Sequence, residues 1–376
     1  MSEMLGMHDA DMSAIGRGGA AGHAADTRET GGTARPEAVT DGRSALEVVG
    51  LRVQFPGERG VVRAASNVCF SVREGQTLGI VGESGCGKSV TLRALCGLVP
   101  DPGQMVDGVV NVDGVAYRSQ QELAPLRGSK LSMIFQDPAS SLNPVLTIGS
   151  QIGEVLRVKL GYSRMTARRE AIELLGHVGI PEPERRAGSY PHELSGGQRQ
   201  RAMIAIAIAC RPKVLLADEP TTALDVTTQE QILKLLLRLQ DESGMAIVLV
   251  THDLGVVEEV CDEVAVMYAG YVVERASIDD LTSNPRHPYT RGLIAAMPKI
   301  DSRQLPEVIV GQPPDLDRLP AGCPFTPRCP EVREECATVE MDVTTLTACA
   351  CPYNNPQAAA TETSPALEQA GEVEAR

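Results

Sequence analysis

One run of eight residues constrains this chain more than any other: Gly82, Glu83, Ser84, Gly85, Cys86, Gly87, Lys88 and Ser89. It matches the phosphate-binding loop pattern G-x-x-x-x-G-K-[ST]. The apolar run 77–81 before it is typical of a strand, and 90–98 after it is typical of a helix. In that context backbone N–H groups surround phosphates, Lys88 supplies a charge for the β- and γ-phosphates, and the Ser89 hydroxyl binds Mg²⁺. The run predicts an α/β fold that binds a nucleoside phosphate.

Composition limits the classes of function. The formal net charge of −14 argues against a general binder of nucleic-acid backbones or anionic lipid. No apolar run reaches the ~18 residues that span a bilayer, and the N-terminus lacks the basic-then-apolar pattern of a signal peptide. We therefore expect a cytoplasmic protein whose ten cysteines are free or metal-bound rather than paired in disulfides.

The ends of the chain differ from its middle. Residues 1–44 and 353–376 are polar and lack periodicity, which predicts disordered tails. Between them, strand-like and helix-like segments alternate, as in a mostly parallel sheet with its chemistry at the carboxyl ends of the strands. Beyond Val273 this pattern breaks down into a segment rich in Pro and Cys.

Several short segments predict particular elements. Residues 46–55 and 64–72 favour edge-sheet strands with a turn at Pro56-Gly57, and 106–115 favours a hairpin. Apolar residues at helical spacing predict two helices, at 148–159 and 166–178. Apolar runs also predict buried strands at 131–135, 214–217 and 246–250, and helices at 199–210 and 229–242.

Polar residues follow the predicted strands. Asp218 and Glu219 come directly after the buried run 214–217, and two carboxylates there need a function because burying charge is costly. Phe55, one of only four Phe, could stack on an adenine ring, but packing in the core is an equally good interpretation.

A second motif is more discriminating than the phosphate loop: Leu194, Ser195, Gly196, Gly197 and Gln198, placed before a predicted helix. Together with the phosphate loop and Asp218-Glu219, it resembles the signature of nucleotide-binding subunits of ATP-binding-cassette transporters. The resemblance covers about residues 45–352. It implies an α/β cassette domain at 45–275, with a RecA-like mixed-sheet core, an antiparallel β edge and an α-helical subdomain at about 139–212.

The resemblance also implies roles for individual residues. Asp218 would hold Mg²⁺ through water, and Glu219 would polarise the attacking water. Gln136 would reach Mg²⁺ and that water, and His252 would contact the γ-phosphate. Asp225 would lie at a dimer interface. Since no catalytic position is degenerate, we expect ATP hydrolysis by this chain's own site.

Partners follow from the same resemblance. The signature segment would face the phosphate loop of a second subunit, identical or related, so that ATP lies between two head-to-tail chains. Two membrane permease subunits and an extracytoplasmic solute-binding protein would complete the assembly, with this chain peripheral at the cytoplasmic face of the cell membrane. No nucleic-acid partner is expected.

Several segments resemble one branch of the family, the oligopeptide/dipeptide importers, sometimes extended to nickel. They are Phe135-Gln136-Asp137-Pro138, Ser141-Leu142-Asn143-Pro144, Tyr190-Pro191-His192-Glu193, His287-Pro288-Tyr289-Thr290, Gly311-Gln312-Pro313-Pro314 and 323–330. The branch implies a small Cys/Pro-rich C-terminal domain at 276–352. Two other classes stay open, a soluble cassette ATPase acting on ribosomes or DNA and a regulatory module whose hydrolysis is incidental. The single cassette and acidic balance disfavour the first, and the intact Glu219 and His252 disfavour the second.

The C-terminal cysteines form a candidate metal site. Cys323, Cys329 and Cys336, with either Cys349 or Cys351, supply four thiols for a [4Fe–4S] cluster or a zinc ion. Short C-x₂-C pairs typical of structural zinc are absent from this segment, and the spacing is similar to that of importers that carry a [4Fe–4S] cluster. Free thiols packed in a small domain are the third alternative. The remaining cysteines are interpreted as packing residues: Cys69, Cys86, Cys96, Cys210 and Cys261.

Overall fold

The computed structural model describes residues 43–222, 224–296, 308–339, 341, 349–351 and 354. The predicted tails at 1–44 and 353–376 lie outside these residues, apart from positions 43, 44 and 354. In the described part of the chain, no helix is both long and apolar enough to cross a bilayer.

Within the described residues, ten strands form two sheets. They are β1 (Ser44–Gly57), β2 (Gly60–Arg73), β3 (Thr77–Val81), β4 (Gln104–Val112), β5 (Val115–Tyr117), β6 (Leu131–Ile134), β7 (Val214–Asp218), β8 (Ala246–Val250), β9 (Glu263–Tyr268) and β10 (Tyr271–Ser277). The first sheet is antiparallel, in the order β2-β1-β4-β5. The second has the order β10-β9-β3-β8-β7-β6 and is parallel except for β10.

Helices connect these strands. They are α1 (Lys88–Leu95), α2 (Gln120–Leu123), α3 (Pro138–Ser141), α4 (Ile148–Leu160), α5 (Arg164–His177), α6 (Pro183–Arg186), α7 (Gly196–Ile208), α8 (Val226–Ser243), α9 (Leu254–Val260), α10 (Ile278–Ser283) and α11 (Pro288–Ala295). The run from α3 to α7 separates β6 from β7 and supplies the predicted helical insertion.

The parallel sheet is the core of the molecule. Every residue of β3, β7 and β8 is buried, which is why these strands appear in the sequence as continuous apolar runs. In the parallel pairs, β3, β7 and β8 bring their carboxyl ends to one edge of the sheet. The loops that follow these strands carry the polar residues singled out above.

Two sequence predictions about the strands were wrong. The Pro56-Gly57 pair is not a turn, because β1 continues through it and the chain turns at Glu58-Arg59. Pro56 is tolerated there because β1 pairs with β4 only as far as Gln54, so no ladder bond on that side needs its missing N–H.

The second wrong prediction concerns the chain beyond Val273, where regular strands and helices continue. β10 runs to Ser277, and α10 and α11 follow it, so the predicted boundary at 275/276 falls inside a strand. Two buried charged residues conceal this strand in the sequence. Arg275 pairs with Glu263 at 2.7 Å, and Glu274 accepts the backbone N–H groups of Arg286 and His287.

Candidate active site

The phosphate loop connects β3 to α1 and depends on its glycines. Gly82 and Gly87 have φ values of 151° and 105°, which L side chains rarely adopt. A Cβ at Gly82 would lie 2.1 Å from the carbonyl oxygen of Met267, and one at Gly87 would lie 2.0 Å from that of Ala64. Because both clashes are with backbone, the loop passes between neighbouring strands only if these positions are Gly.

The predicted phosphate and magnesium residues lie together. The Lys88 ammonium is buried and donates to the carbonyl oxygens of Gly82 at 2.7 Å and Glu83 at 3.0 Å. The Ser89 hydroxyl donates to Oδ1 of Asp218 at 2.8 Å, although 129 residues separate them. A hydroxyl and a carboxylate in contact at the start of α1 are oxygen donors of the type that Mg²⁺ prefers.

Asp218 occupies an electrostatically costly position. It is the last residue of β7 and only 1% exposed. Burial, with a smaller contribution from the charge of Glu219, raises the pKa of its carboxyl, against the Ser89 hydrogen bond and the Arg93 and Lys88 charges that lower it. A cation beside this carboxylate would relieve that cost, so its environment fits the predicted role as a magnesium residue.

The predicted catalytic residues converge on Glu219. Its Oε2 accepts from Nε2 of Gln136 at 2.9 Å, and its Oε1 lies 3.5 Å from Nδ1 of His252. Its backbone N–H donates to the carbonyl of Val250, and its φ of 46° is uncommon for a residue other than Gly. Side chains from two other loops, Gln136 and His252, thus lie against one carboxylate at the edge of the parallel sheet.

The sequence reasoning missed one member of this group. The Thr222 hydroxyl donates to Oε2 of Glu219 at 2.8 Å and fixes the orientation of the carboxylate. Its only signal in the sequence was its position three residues after Glu219, where a local side-chain contact is geometrically possible.

The helix that follows Ser195 in the signature segment begins earlier than predicted. Helix α7 starts at Gly196 rather than Arg199, because Ser195 and Gln198 form a reciprocal capping box that outweighs the poor helix propensity of two glycines. Leu194 before it is buried. Gly196 and Gly197 therefore occupy the first turn of α7, where backbone N–H groups have no partner within the helix.

Asp225 is the cap of a neighbouring helix. Its carboxylate accepts the backbone N–H of Thr228 at 2.9 Å and the Thr228 hydroxyl at 2.7 Å, and these bonds lower its pKa. A Cβ at Gly197 would lie 2.8 Å from the Thr228 methyl. Asp225 and the signature helix are thus held against the same threonine.

Phe55 is half-buried and packs against the core. Its ring lies against Gly103, where a Cβ would come within 2.2 Å of a ring carbon. Adenine stacking by Phe55 stays a prediction. Of the five cysteines interpreted as packing, four are buried, and Cys210, two residues after α7, is half-buried.

The C-terminal cysteines do come together in part. Cys323, Cys329, Cys336 and Cys351 line one cavity together with His287, whose Nε2 lies 3.9 Å from the Cys323 sulfur. Cys349 instead lies outside that lining and pairs through its backbone with Glu274. Over the described ranges, no three His, Cys, Asp or Glu side chains are grouped closely enough to hold a metal ion.

The fold and site define a class of protein. A phosphate loop, a buried carboxylate at the Ser89 hydroxyl, and a second carboxylate held by a glutamine and a threonine are the parts of a phosphate-loop ATPase. The capped glycine turn at Ser195 adds a second anion-binding helix start.

Comparison with known proteins narrows this class. Residues 65–222 match the family described as ABC transporter, and residues 273–336 match the oligopeptide/dipeptide transporter C-terminal region. The oligopeptide transport ATP-binding protein OppD of Haemophilus influenzae is 49% identical over 294 residues, 77% of this chain and 91% of that protein. The dipeptide transport ATP-binding protein DppD of Bacillus subtilis is 46% identical over 299 residues, 78% of this chain and 89% of that protein.

A solved structure of a cassette protein also resembles this chain. The dimeric structure of a post-hydrolysis state of the ATP-binding cassette MJ0796, bound to ADP and Pi, is 32% identical with a TM-score of 0.55, covering 62% of this chain and 98% of that one. The chain belongs to the ABC transporter family, in its branch of oligopeptide/dipeptide transport ATP-binding proteins.

Proposed function

We propose that this chain is the ATP-hydrolysing subunit that powers import of di- and oligopeptides. The observation that carries the proposal is the C-terminal region matched at residues 273–336, present together with a complete set of cassette motifs. In this proposal ATP drives two nucleotide-binding subunits together head to tail, and their closure is transmitted to membrane permease subunits. The chain is then peripheral at the cytoplasmic face of the membrane.

Each site residue has a proposed task in hydrolysis. Lys88 exchanges its bonds with the loop carbonyls for the phosphates of ATP. Ser89 and Asp218 would hold a magnesium ion, which would neutralise charge on the phosphates. Glu219 accepts a proton from, or orients, the attacking water, with Thr222 and Gln136 fixing its carboxylate. His252 contacts the γ-phosphate.

The signature segment is proposed to serve the partner's ATP. Ser195, Gly196 and Gly197 present the start of a 13-residue helix, a favourable position for the γ-phosphate of a second subunit. Asp225 lies beside it at the proposed dimer interface. The description of MJ0796 as a dimer bound to ADP and Pi supports this arrangement.

Two alternative functions can be distinguished from peptide import by experiment. The same ATPase role could serve nickel or another small solute, and a soluble cassette ATPase would need no membrane subunits. We would purify tagged full-length chain from membranes and identify co-purifying proteins. Recovery of two permease subunits, and ATP-dependent uptake of labelled peptide but not nickel by the reconstituted complex, is the expected result. Recovery of the chain without membrane proteins would refute the transport assignment.

We propose that the four thiols at the C-terminal cavity hold a [4Fe–4S] cluster, with Cys351 as the fourth ligand. The support is that Cys323, Cys329, Cys336 and Cys351 line one cavity while Cys349 does not. A zinc ion would need all four sulfurs about 2.3 Å away, whereas a cluster binds each thiolate to a different iron. Burial raises the pKa of Cys323 to about 11, so ligation would also have to displace its proton.

Iron and sulfide analysis of anaerobically purified protein tests this site. About four irons and four sulfides per chain are expected in the wild type and in Cys349→Ser, and loss of both in Cys351→Ser. One zinc per chain, or neither metal in folded protein, would refute the cluster. We also propose the division of the chain into a cassette domain at 45–275 and a C-terminal domain at 276–352. The boundary lies within β10, close to residue 273, where the match to the C-terminal region begins.

A further inference from the structure

One residue of the phosphate loop is held by the C-terminal part of the chain. The backbone N–H of Glu83 donates to the Tyr289 hydroxyl at 2.9 Å. The Glu83 carboxylate accepts two parallel hydrogen bonds from Arg328, at 2.8 and 3.0 Å. Its carbonyl accepts from Lys88 at 3.0 Å. Glu83 therefore joins residues more than 200 positions away to the lysine that meets the phosphates.

Arg328 is fixed from several sides. Its side chain is 4% exposed, and its guanidinium also donates to the carbonyls of Ile309 and Val310 and to the Tyr268 hydroxyl. Such a planar, fully bonded guanidinium cannot move without breaking several bonds at once. The contact with Glu83 is thus unlike an exposed ion pair, whose partners separate at little cost.

The same group reaches the cysteine-lined cavity. Arg328 immediately precedes Cys329, and the Phe325 ring packs against both Tyr268 and Tyr289. Phe325 also lines the cavity with Cys323 and Cys329. A continuous set of packed rings and one guanidinium therefore lies between that cavity and the phosphate loop.

The charges at this contact have opposite effects on a bound nucleotide. A carboxylate in the loop repels the phosphates of ATP, and a guanidinium hydrogen-bonded to it cancels that repulsion. The Glu83 carboxylate belongs to the phosphate loop. The positive charge that compensates it comes from Arg328, 245 residues further along the chain.

We propose that Arg328 and Tyr289 are positioning residues of the ATP site, through which the C-terminal domain sets the affinity of the phosphate loop for ATP. Arg328 neutralises Glu83, and Tyr289 anchors its backbone. The inference concerns ATP binding by the isolated chain and is independent of the solute transported.

Titration of full-length protein with a magnesium-bound, non-hydrolysable ATP analogue, by calorimetry, tests the proposal. Arg328→Gln should weaken binding about tenfold, since one buried charge next to a polyphosphate is left unopposed. Arg328→Lys, which keeps the charge but loses the fork, should weaken it less. Glu83→Gln should tighten binding a few-fold, and the double variant should recover most of the affinity lost in Arg328→Gln.

A control variant lies in the same region. Arg291→Gln removes an ion pair with Glu331 that does not touch the phosphate loop, and it should bind the analogue as the wild type does. Steady-state kinetics give a second readout, because Arg328→Gln should raise KM for ATP more than it lowers kcat. Melting curves identify any variant that fails to fold, in which case Arg328→Lys and Glu83→Gln carry the test.

The proposal predicts opposite changes in ATP affinity for Arg328→Gln and Glu83→Gln. A contact that only braces the fold would give equal weakening in Arg328→Gln and Glu83→Gln, with no recovery in the double variant. Either that result or wild-type affinity in Arg328→Gln would overturn the proposal. Failure here would leave the peptide-import assignment untouched, because co-purification and uptake test that separately.

Discussion

Replacing Asp218 by Asn should stabilise the nucleotide-free protein while abolishing its response to magnesium and ATP. Asp218 is 1% exposed, and burial raises its pKa, so its charge costs free energy in the folded state. Asn keeps an Oδ1 acceptor for the Ser89 hydroxyl and removes the charge. Relief of a buried charge at a functional site typically stabilises by about 0.5–2 kcal/mol. At an unfolding entropy of about 2.1 cal/mol/K per residue, that corresponds to a Tm rise of roughly 1–3 °C for a protein of this size.

The order of melting temperatures should reverse when ligand is added. At 100 times Kd, a magnesium-bound ATP analogue stabilises the wild type by about 2.7 kcal/mol, and Asp218→Asn should lose most of this gain. Differential scanning fluorimetry with and without the analogue measures both effects. A lower Tm for ligand-free Asp218→Asn than for the wild type would refute the reasoning.

The pH dependence of the same variant has a defined sign. Because the folded pKa of Asp218 lies above its unfolded value, the folded state binds the proton more tightly and stability falls as pH rises between the two. The advantage of Asp218→Asn should therefore be full at neutral pH and shrink as pH falls through the folded pKa. Asp113 is the control, since its hydrogen bond with Lys130 lowers its pKa and Asp113→Asn should lower Tm at neutral pH.

Substitutions at three other positions test separate parts of the site. Glu219→Gln should lower kcat for ATP hydrolysis by about 10²–10⁴-fold, as measured by phosphate release. The variant should still bind ATP and favour the dimer in gel filtration. Wild-type turnover in this variant would show that Glu219 does not have the proposed role. Ser195→Ala should cost about 1 kcal/mol by removing the cap of α7, and Ser195→Thr should restore most of it in thermal unfolding. Tyr289→Phe keeps the buried ring but leaves the Glu83 N–H without its acceptor, so ATP affinity should fall a few-fold in calorimetry; unchanged affinity would exclude the anchor.

Local patterns were predictable where a single constraint dominates. The phosphate loop followed from its glycines, and β3 and β8 were predicted at the observed residues, because fully buried parallel strands require continuous apolar runs. The start of α7 was missed because a capping box competes with poor glycine propensity, and only the folded chain shows which prevails. β10 was missed because Glu274 and Arg275 are buried charges whose partners lie elsewhere.

The family and the phosphate loop could be predicted from the sequence alone. The family resemblance also assigned four motif residues to one magnesium and water site: Ser89, Gln136, Asp218 and Glu219. The direct contacts between distant segments depend on the tertiary fold. Cys351, and not Cys349, lines the C-terminal cavity. Thr222 donates a hydrogen bond to Glu219, and Arg328 donates to Glu83. The physical reason is that motif spacing encodes local backbone geometry, whereas charge compensation across 245 residues depends on how separate elements pack.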